Sequence, residues 1–261
     1  MILEYLYQSY SITIRAAKRR DQMTLLEICI DDLTGAIDAE NAGADRVELC
    51  ANLMEGGTTP SYGLISKVCE SATRIGIQLM VRPRGGNFVY SKDDLSVMMA
   101  DIRFIRNLPA VRRVPVGIVL GALTADGRID VPAMRALIDE AGHIPVTFHK
   151  AFDSTRSLPR SLESLIELGV VRVLTSGGAA TAPEGAEMLK TLTAQSSGAV
   201  AILAGGGVRP SNVTKLIARS GVGEVHLRAQ FPSLREDGTL QTDGALIGQM
   251  LRTLTLRASP S

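Results

Sequence analysis

The chain has 261 residues, 45% of them hydrophobic and 21% charged, with a formal net charge of +1. Such a length suits one barrel-sized domain or two smaller ones, and it buries enough surface to need no disulfide staples. The near-neutral charge argues against a nucleic-acid footprint, and no apolar run reaches the ~20 residues of a membrane-spanning helix.

Residues 1–23 differ from the rest. They carry the basic run Lys18-Arg19-Arg20 and end at Met23, directly before the first convincing strand. They are read as a poorly ordered N-terminal extension, with a barrel domain over residues 24–261. From Thr24 onward, short apolar runs alternate with amphipathic stretches of helical length. The predicted strands are Leu25 to Cys29, Arg46 to Cys50, Ile77 to Arg82, Pro115 to Leu120, Val146 to His149, Arg172 to Thr175, Val200 to Ala204 and Glu224 to Leu227. Their near-continuous apolar character suits strands buried on both faces of a parallel sheet. Helical stretches such as Asp31 to Ala42 and Pro60 to Ile75 lie between them. Gly43, Gly76, Gly169 and Gly221 stand where helix C-caps are expected. Repeated β–α units with no linker predict an α/β fold, and eight of them favour closure into a single (β/α)8 TIM barrel.

Active sites of such barrels lie where strands end and helices begin. The first two predicted strands end Glu27-Ile28-Cys29 and Glu48-Leu49-Cys50, and alternation places each Glu on the same face as its Cys. The third ends Arg82-Pro83-Arg84-Gly85-Gly86, the fifth ends at His149 with Asp153 shortly after, and the eighth carries His226 and Arg228. Buried carboxylates need partners. Arg82 is the expected one for Glu27 and Glu48, either as a purely structural pair or as part of a ligand-facing group. Glu27, Glu48, Arg82 and His149 are the candidate catalytic residues if the chain is an enzyme. Cys29 and Cys50 form either a soft two-thiolate site suited to Cu(I) or two small buried hydrophobes, and His226 stands beside them as a candidate metal ligand. Cys69 falls within a helix and is read as packing. With three cysteines and no apolar leader before a small-residue cleavage site, a cytoplasmic setting is expected.

The later junctions are glycine-rich: Ser176-Gly177-Gly178 and Gly205-Gly206-Gly207, the latter followed by Arg209-Pro210-Ser211-Asn212. Barrels often bind phosphate near their last strands. Arg84, Ser176, Gly177, Gly206, Gly207 and Arg228 are therefore candidate anion-binding residues, although the glycines serve equally well as simple turns.

Several strings in their order along the chain resemble the CutC family. They are Leu26-Glu27-Ile28-Cys29, Ala42 to Cys50 (AGADRVELC), Glu55 to Ser61 (EGGTTPS), Arg82 to Gly86 (RPRGG), Val146 to Asp153 (VTFHKAFD), Val173 to Gly177 (VLTSG), Gly205 to Arg209 (GGGVR) and Glu224-Val225-His226. The likeness runs from about Leu25 to the end of the barrel. It implies a cytoplasmic TIM barrel of copper homeostasis, often oligomeric, with Cys29 and Cys50 at the positions of the proposed copper ligands. One departure is Leu227-Arg228-Ala229-Gln230, where small polar residues are expected. The implied partner is a copper ion, and the alternative is an enzyme acting on a small anionic or phosphorylated substrate. Neither nucleic acid nor membrane is an expected partner.

Overall fold

A computed structural model describes residues 24–108, 113–230 and 240–258. The expectation for residues 1–23 falls outside them. Eight strands form a closed, all-parallel barrel in sequence order: β1 (Leu25–Ile30), β2 (Arg46–Leu49), β3 (Gly76–Met80), β4 (Val116–Leu120), β5 (Val146–Phe148), β6 (Arg172–Thr175), β7 (Ala201–Gly205) and β8 (Glu224–Arg228). The helices are α1 (Leu33–Ala42), α2 (Tyr62–Ser71), α3 (Lys92–Arg106), α4 (Val131–Ala141), α5 (Leu158–Glu167), α6 (Ala186–Ser196), α7 (Pro210–Ser220) and α8 (Gly244–Ala258), with short 3-10 turns at Leu53–Glu55 and Lys150–Ser154. No described helix is long and apolar enough to cross a membrane.

Local chemistry fixes the helix starts. Asp32, Ser61, Ser91 and Asp130 each accept a backbone N–H from three residues on, which satisfies a donor that the first helical turn leaves open. Gly43 and Gly221 end their helices at positive φ, as expected of C-caps. Gly76 does not: α2 stops at Ser71, and Gly76 opens β3 instead. A Cβ there would lie 3.0 Å from Arg46 Cγ, so the glycine makes room for a side chain inside the barrel.

Alternation along each strand separates two interiors. Outward residues such as Leu26, Ile28, Val47, Leu49, Ile77 and Leu79 pack under the helices as the main apolar core, joined by Cys69 from α2. The inward faces are unusual, because TIM-barrel interiors are normally filled by bulky apolar side chains. Here Glu27, Arg46, Glu48, Gln78, Thr147, Glu224 and His226 are all buried at 9% exposure or less. The apolar inner lining is a separate patch of Cys29, Cys50, Met80 and Val119, with Leu53 against it, together with Leu174 and Leu203 on β6 and β7. Burying an ion costs several kcal/mol unless partners offset it. The arrangement of charge inside this barrel is therefore the feature that needs a functional account.

Candidate functional site

The lower layer of the interior is an ion network. Arg46 donates from Nε to Glu27 at 2.6 Å and from a terminal nitrogen to Glu224 at 2.7 Å. Arg172 also binds Glu224 and reaches Thr147 Oγ1, which donates onward to Gln78. Glu27 is thus paired with Arg46, not with Arg82 as the sequence suggested. Burial alone would raise its pKa, but Arg46 and His226 outweigh that and hold its carboxyl well below the usual range. Glu224 is lowered in the same way: burial works against it, and Arg46 and Arg172 prevail.

One layer up, the site turns to proton and thiol chemistry. Register places Glu27 beside His226 on β8, and Cys29 beside Glu48 on β2 and Arg228 on β8. His226 Nδ1 lies 2.9 Å from Glu27 Oε1, and its Nε2 lies 3.8 Å from Glu48. Burial disfavours the imidazolium, yet Glu48, Cys29 and Glu27 together raise its pKa well above the ordinary value. The Cys50 thiol donates to Glu48 Oε2 at 3.6 Å. Cys29 is drawn down to about 5 by the neighbouring Cys50, against burial and with help from His226. The nearby Cys29, then burial and Glu48, push Cys50 up. Burial drives Glu48 up to about 8; His226 opposes this, and the negative charge of Cys29 and Glu27 adds to it. The interior therefore sets Arg46, Arg172 and a raised His226 imidazole among Glu27, Glu224 and a lowered Cys29 thiol, while Glu48 and Cys50 are shifted toward their protonated forms.

Above these groups opens a cavity of about 280 Å³ at the C-terminal end of the barrel. Cys29, Glu48 and His226 form its floor, and its walls include Arg82, His149, Gly206, Gly207 and Arg228. Arg82 follows β3 and donates to the backbone carbonyls of Glu55, Gly57 and Gly86, with its guanidinium over the Phe88 ring. His149 caps the 3-10 turn after β5 by accepting the Ala151 N–H on Nδ1, which leaves the ring proton on Nε2. Burial and then Arg82 lower its pKa to about 3, so the ring is neutral. Among the described residues, His149 Nε2 and Glu48 Oε1 are buried without a hydrogen-bond partner.

The remaining sequence candidates separate. Gly206, Gly207 and Arg228 reach the cavity; Arg84, Ser176 and Gly177 do not line it. The Arg84 guanidinium is committed to Asn87 and Val89 in its own loop and to Asp94 in the first turn of α3. Ser176 Oγ belongs to a cluster with Lys150 and Asp153, and the Gly177 N–H goes to Thr175 Oγ1. The sequence reading missed Arg46, Arg172 and Glu224. The signal was present: Arg46 lies two residues before Glu48, hence on the same strand face, and the other two open inward-facing strands.

Among the described residues, two clusters have metal-ligating potential. Ligand atoms of Cys29, Glu48 and Cys50 lie within 4.8 Å of one another, as do those of Glu27, Glu48 and His226. In the second cluster His226 Nδ1 is held by Glu27 and its raised pKa favours the imidazolium, which has no free lone pair, so this arrangement suits acid–base chemistry. The first cluster fits a soft ion: both thiols are free, and the apolar patch with the Met80 thioether surrounds them.

The CutC family model matches residues 24–231. A CutC family protein of Bacteroides thetaiotaomicron is 41% identical over 222 residues, covering 85% of this chain and 87% of the relative. The human copper homeostasis protein cutC homolog is 42% identical over 214 residues, covering 82% of this chain and 76% of that one. The crystal structure of CutC from Streptococcus agalactiae aligns with a TM-score of 0.71 at 35% identity, covering 78% of this chain and 98% of the other. A phosphoribosylanthranilate isomerase of Pyrococcus furiosus, at 14% identity, TM-score 0.52 and coverage of 89% and 99%, shares the fold alone. The chain belongs to the CutC family.

Proposed function

We propose that this protein handles copper by binding Cu(I) between Cys29 and Cys50 at the mouth of the barrel, in the cytoplasm and as a homo-oligomer. The observation that carries the reading is the buried, unbridged thiol pair, whose ligand atoms and those of Glu48 lie within 4.8 Å of one another, with the Cys29 thiol drawn down beside His226. Soft thiolates suit Cu(I), and a metal deprotonates a coordinating thiol outright, which supplies what Cys50 lacks. Two thiolates on a monovalent ion leave one negative charge, and His226 stands where it offsets that charge. His226 is thus assigned the role of charge partner, and Met80 that of a soft neighbour excluding water. The protonated Glu48 carboxyl is a poor ligand beside them. Relatives described by copper homeostasis support the same reading. Titrating Cu(I) into the protein against a competing chelator tests it. Tight binding that disappears in the Cys29→Ser, Cys50→Ser double variant is expected; equal binding in both proteins would refute it.

A further inference from the structure

The cavity above the thiols is much larger than a metal ion needs. At about 280 Å³ it approaches the size of small-molecule pockets and equals several waters. Its charge is one-sided. Arg82, Lys150, Arg209 and Arg228 line it, with His226 at its floor, against the Glu48 carboxyl and the Cys29 thiol. Among the described residues, Arg82, Arg209 and Arg228 form no ion pair, whereas Lys150 is held by Asp153.

Two further observations point to a bound ligand. The rim after β7 bends through Gly206 (φ 100°) and Gly207 (φ 68°), left-handed positions that glycine adopts freely. The amides of Gly207 and Val208 make no hydrogen bond among the described residues, and both precede the N-terminus of α7, a helix of 11 residues. Across the same cavity, His149 is 4% exposed and holds an Nε2–H donor without an acceptor. A buried donor left unmade costs about 1–3 kcal/mol, so an acceptor atom from a ligand would restore what the fold gives up.

We propose that this cavity binds a small phosphorylated metabolite, with its phosphate at the Gly207–Arg209 rim beside Arg228 and an oxygen of its far end accepting from His149 Nε2. This ligand is distinct from copper: its phosphate sits on the loop after β7 and on Arg228, which neighbours Cys29 in register, and its far end reaches His149. Arg228 then supplies a charge-assisted contact to the anion. Its side chain already rests on Gln230, which in turn donates to Asp31, so the guanidinium is held in place before any ligand arrives.

Calorimetric titration of the whole protein, with a copper chelator present, separates this proposal from the copper reading. Inorganic phosphate probes the rim, ribose 5-phosphate probes rim and far end together, and ribose lacks the anion. Both phosphate compounds are expected to bind, ribose 5-phosphate more tightly, and ribose to show no heat. Arg228→Gln should weaken both roughly tenfold or more, as expected for loss of a charged hydrogen bond. Arg209→Gln gives the same readout should the first variant fold poorly. His149→Asn keeps a cap for Ala151 and should remove the advantage of ribose 5-phosphate over phosphate. Absence of binding by both phosphate compounds, unchanged affinity in both arginine variants, or equal affinity for ribose would overturn the proposal. Equal wild-type affinity for phosphate and ribose 5-phosphate would overturn the contact to His149.

Discussion

Replacing Arg46 with Met tests whether the interior is held by paired charge. Arg46 is 8% exposed and is the shared partner of two carboxylates, Glu27 at 2.6 Å and Glu224 at 2.7 Å. Methionine retains much of the apolar stem and removes the guanidinium. Glu224 keeps Arg172 and Glu27 keeps His226, so neither carboxylate is stranded completely. Breaking a buried ion pair by deleting one partner costs about 3–5 kcal/mol. For a chain of this size each kcal/mol lowers the Tm by about 2–4 °C, so a loss of roughly 6–20 °C is expected. Thermal and urea denaturation at pH 7 measure it. Adding Glu27→Gln should recover part of the loss, because the stranded charge goes with it. A single-variant loss below about 1 kcal/mol, the usual ceiling for an exposed pair, would refute the reasoning.

Other outcomes follow from the upper layer. Cys29, drawn down to about 5 by Cys50 and His226, should be alkylated by iodoacetamide at pH 6 to 7 in preference to Cys69, which burial raises to about 11. Mass spectrometry of the labelled peptides reads this, and a Cys29 rate that climbs only through pH 8 to 9, as for a free thiol, would contradict it. His149 titrates near 3 in the folded chain and near the ordinary 6.5 when unfolded. Between these values the unfolded state holds the extra proton, so His149 contributes a loss of stability as pH falls from about 6.5 toward 3. His149→Asn should remove that component, seen as a shallower fall in urea stability between pH 7 and pH 4.5; an unchanged slope would tell against a buried neutral ring.

The barrel was legible because each strand is an apolar run with its own period and its own turn signals. Elements of that kind are set locally. The observed bounds differ from the expected ones by one or two residues, chiefly because Cys50 and His149 make the final cross-strand hydrogen bonds of their strands, to Ile30 and Leu120, and the Arg82 N–H turns to Thr59. Glu27, Glu48, Cys29, Cys50 and His226 could be placed on one face by counting residues along strands, and the closed barrel brings them together. Pairing between distant strands could not be read in that way. Arg46 and Glu224 are 178 positions apart, and only the register of β1 between β2 and β8 makes them neighbours. Arg82 illustrates the opposite error. Its charge and position suggested a carboxylate partner, but the loops after β2 and β3 offer it three backbone carbonyls first. The Arg84 loop likewise uses its own guanidinium, a competition that composition does not reveal.

The most direct test of the central claim is X-ray absorption at the copper edge on protein loaded with one equivalent of Cu(I). The account predicts a first shell of sulfur alone, lost in the Cys29→Ser, Cys50→Ser variant and unaltered by His226→Gln. A first shell of nitrogen or oxygen, or a sulfur shell that survives loss of both cysteines, would contradict it.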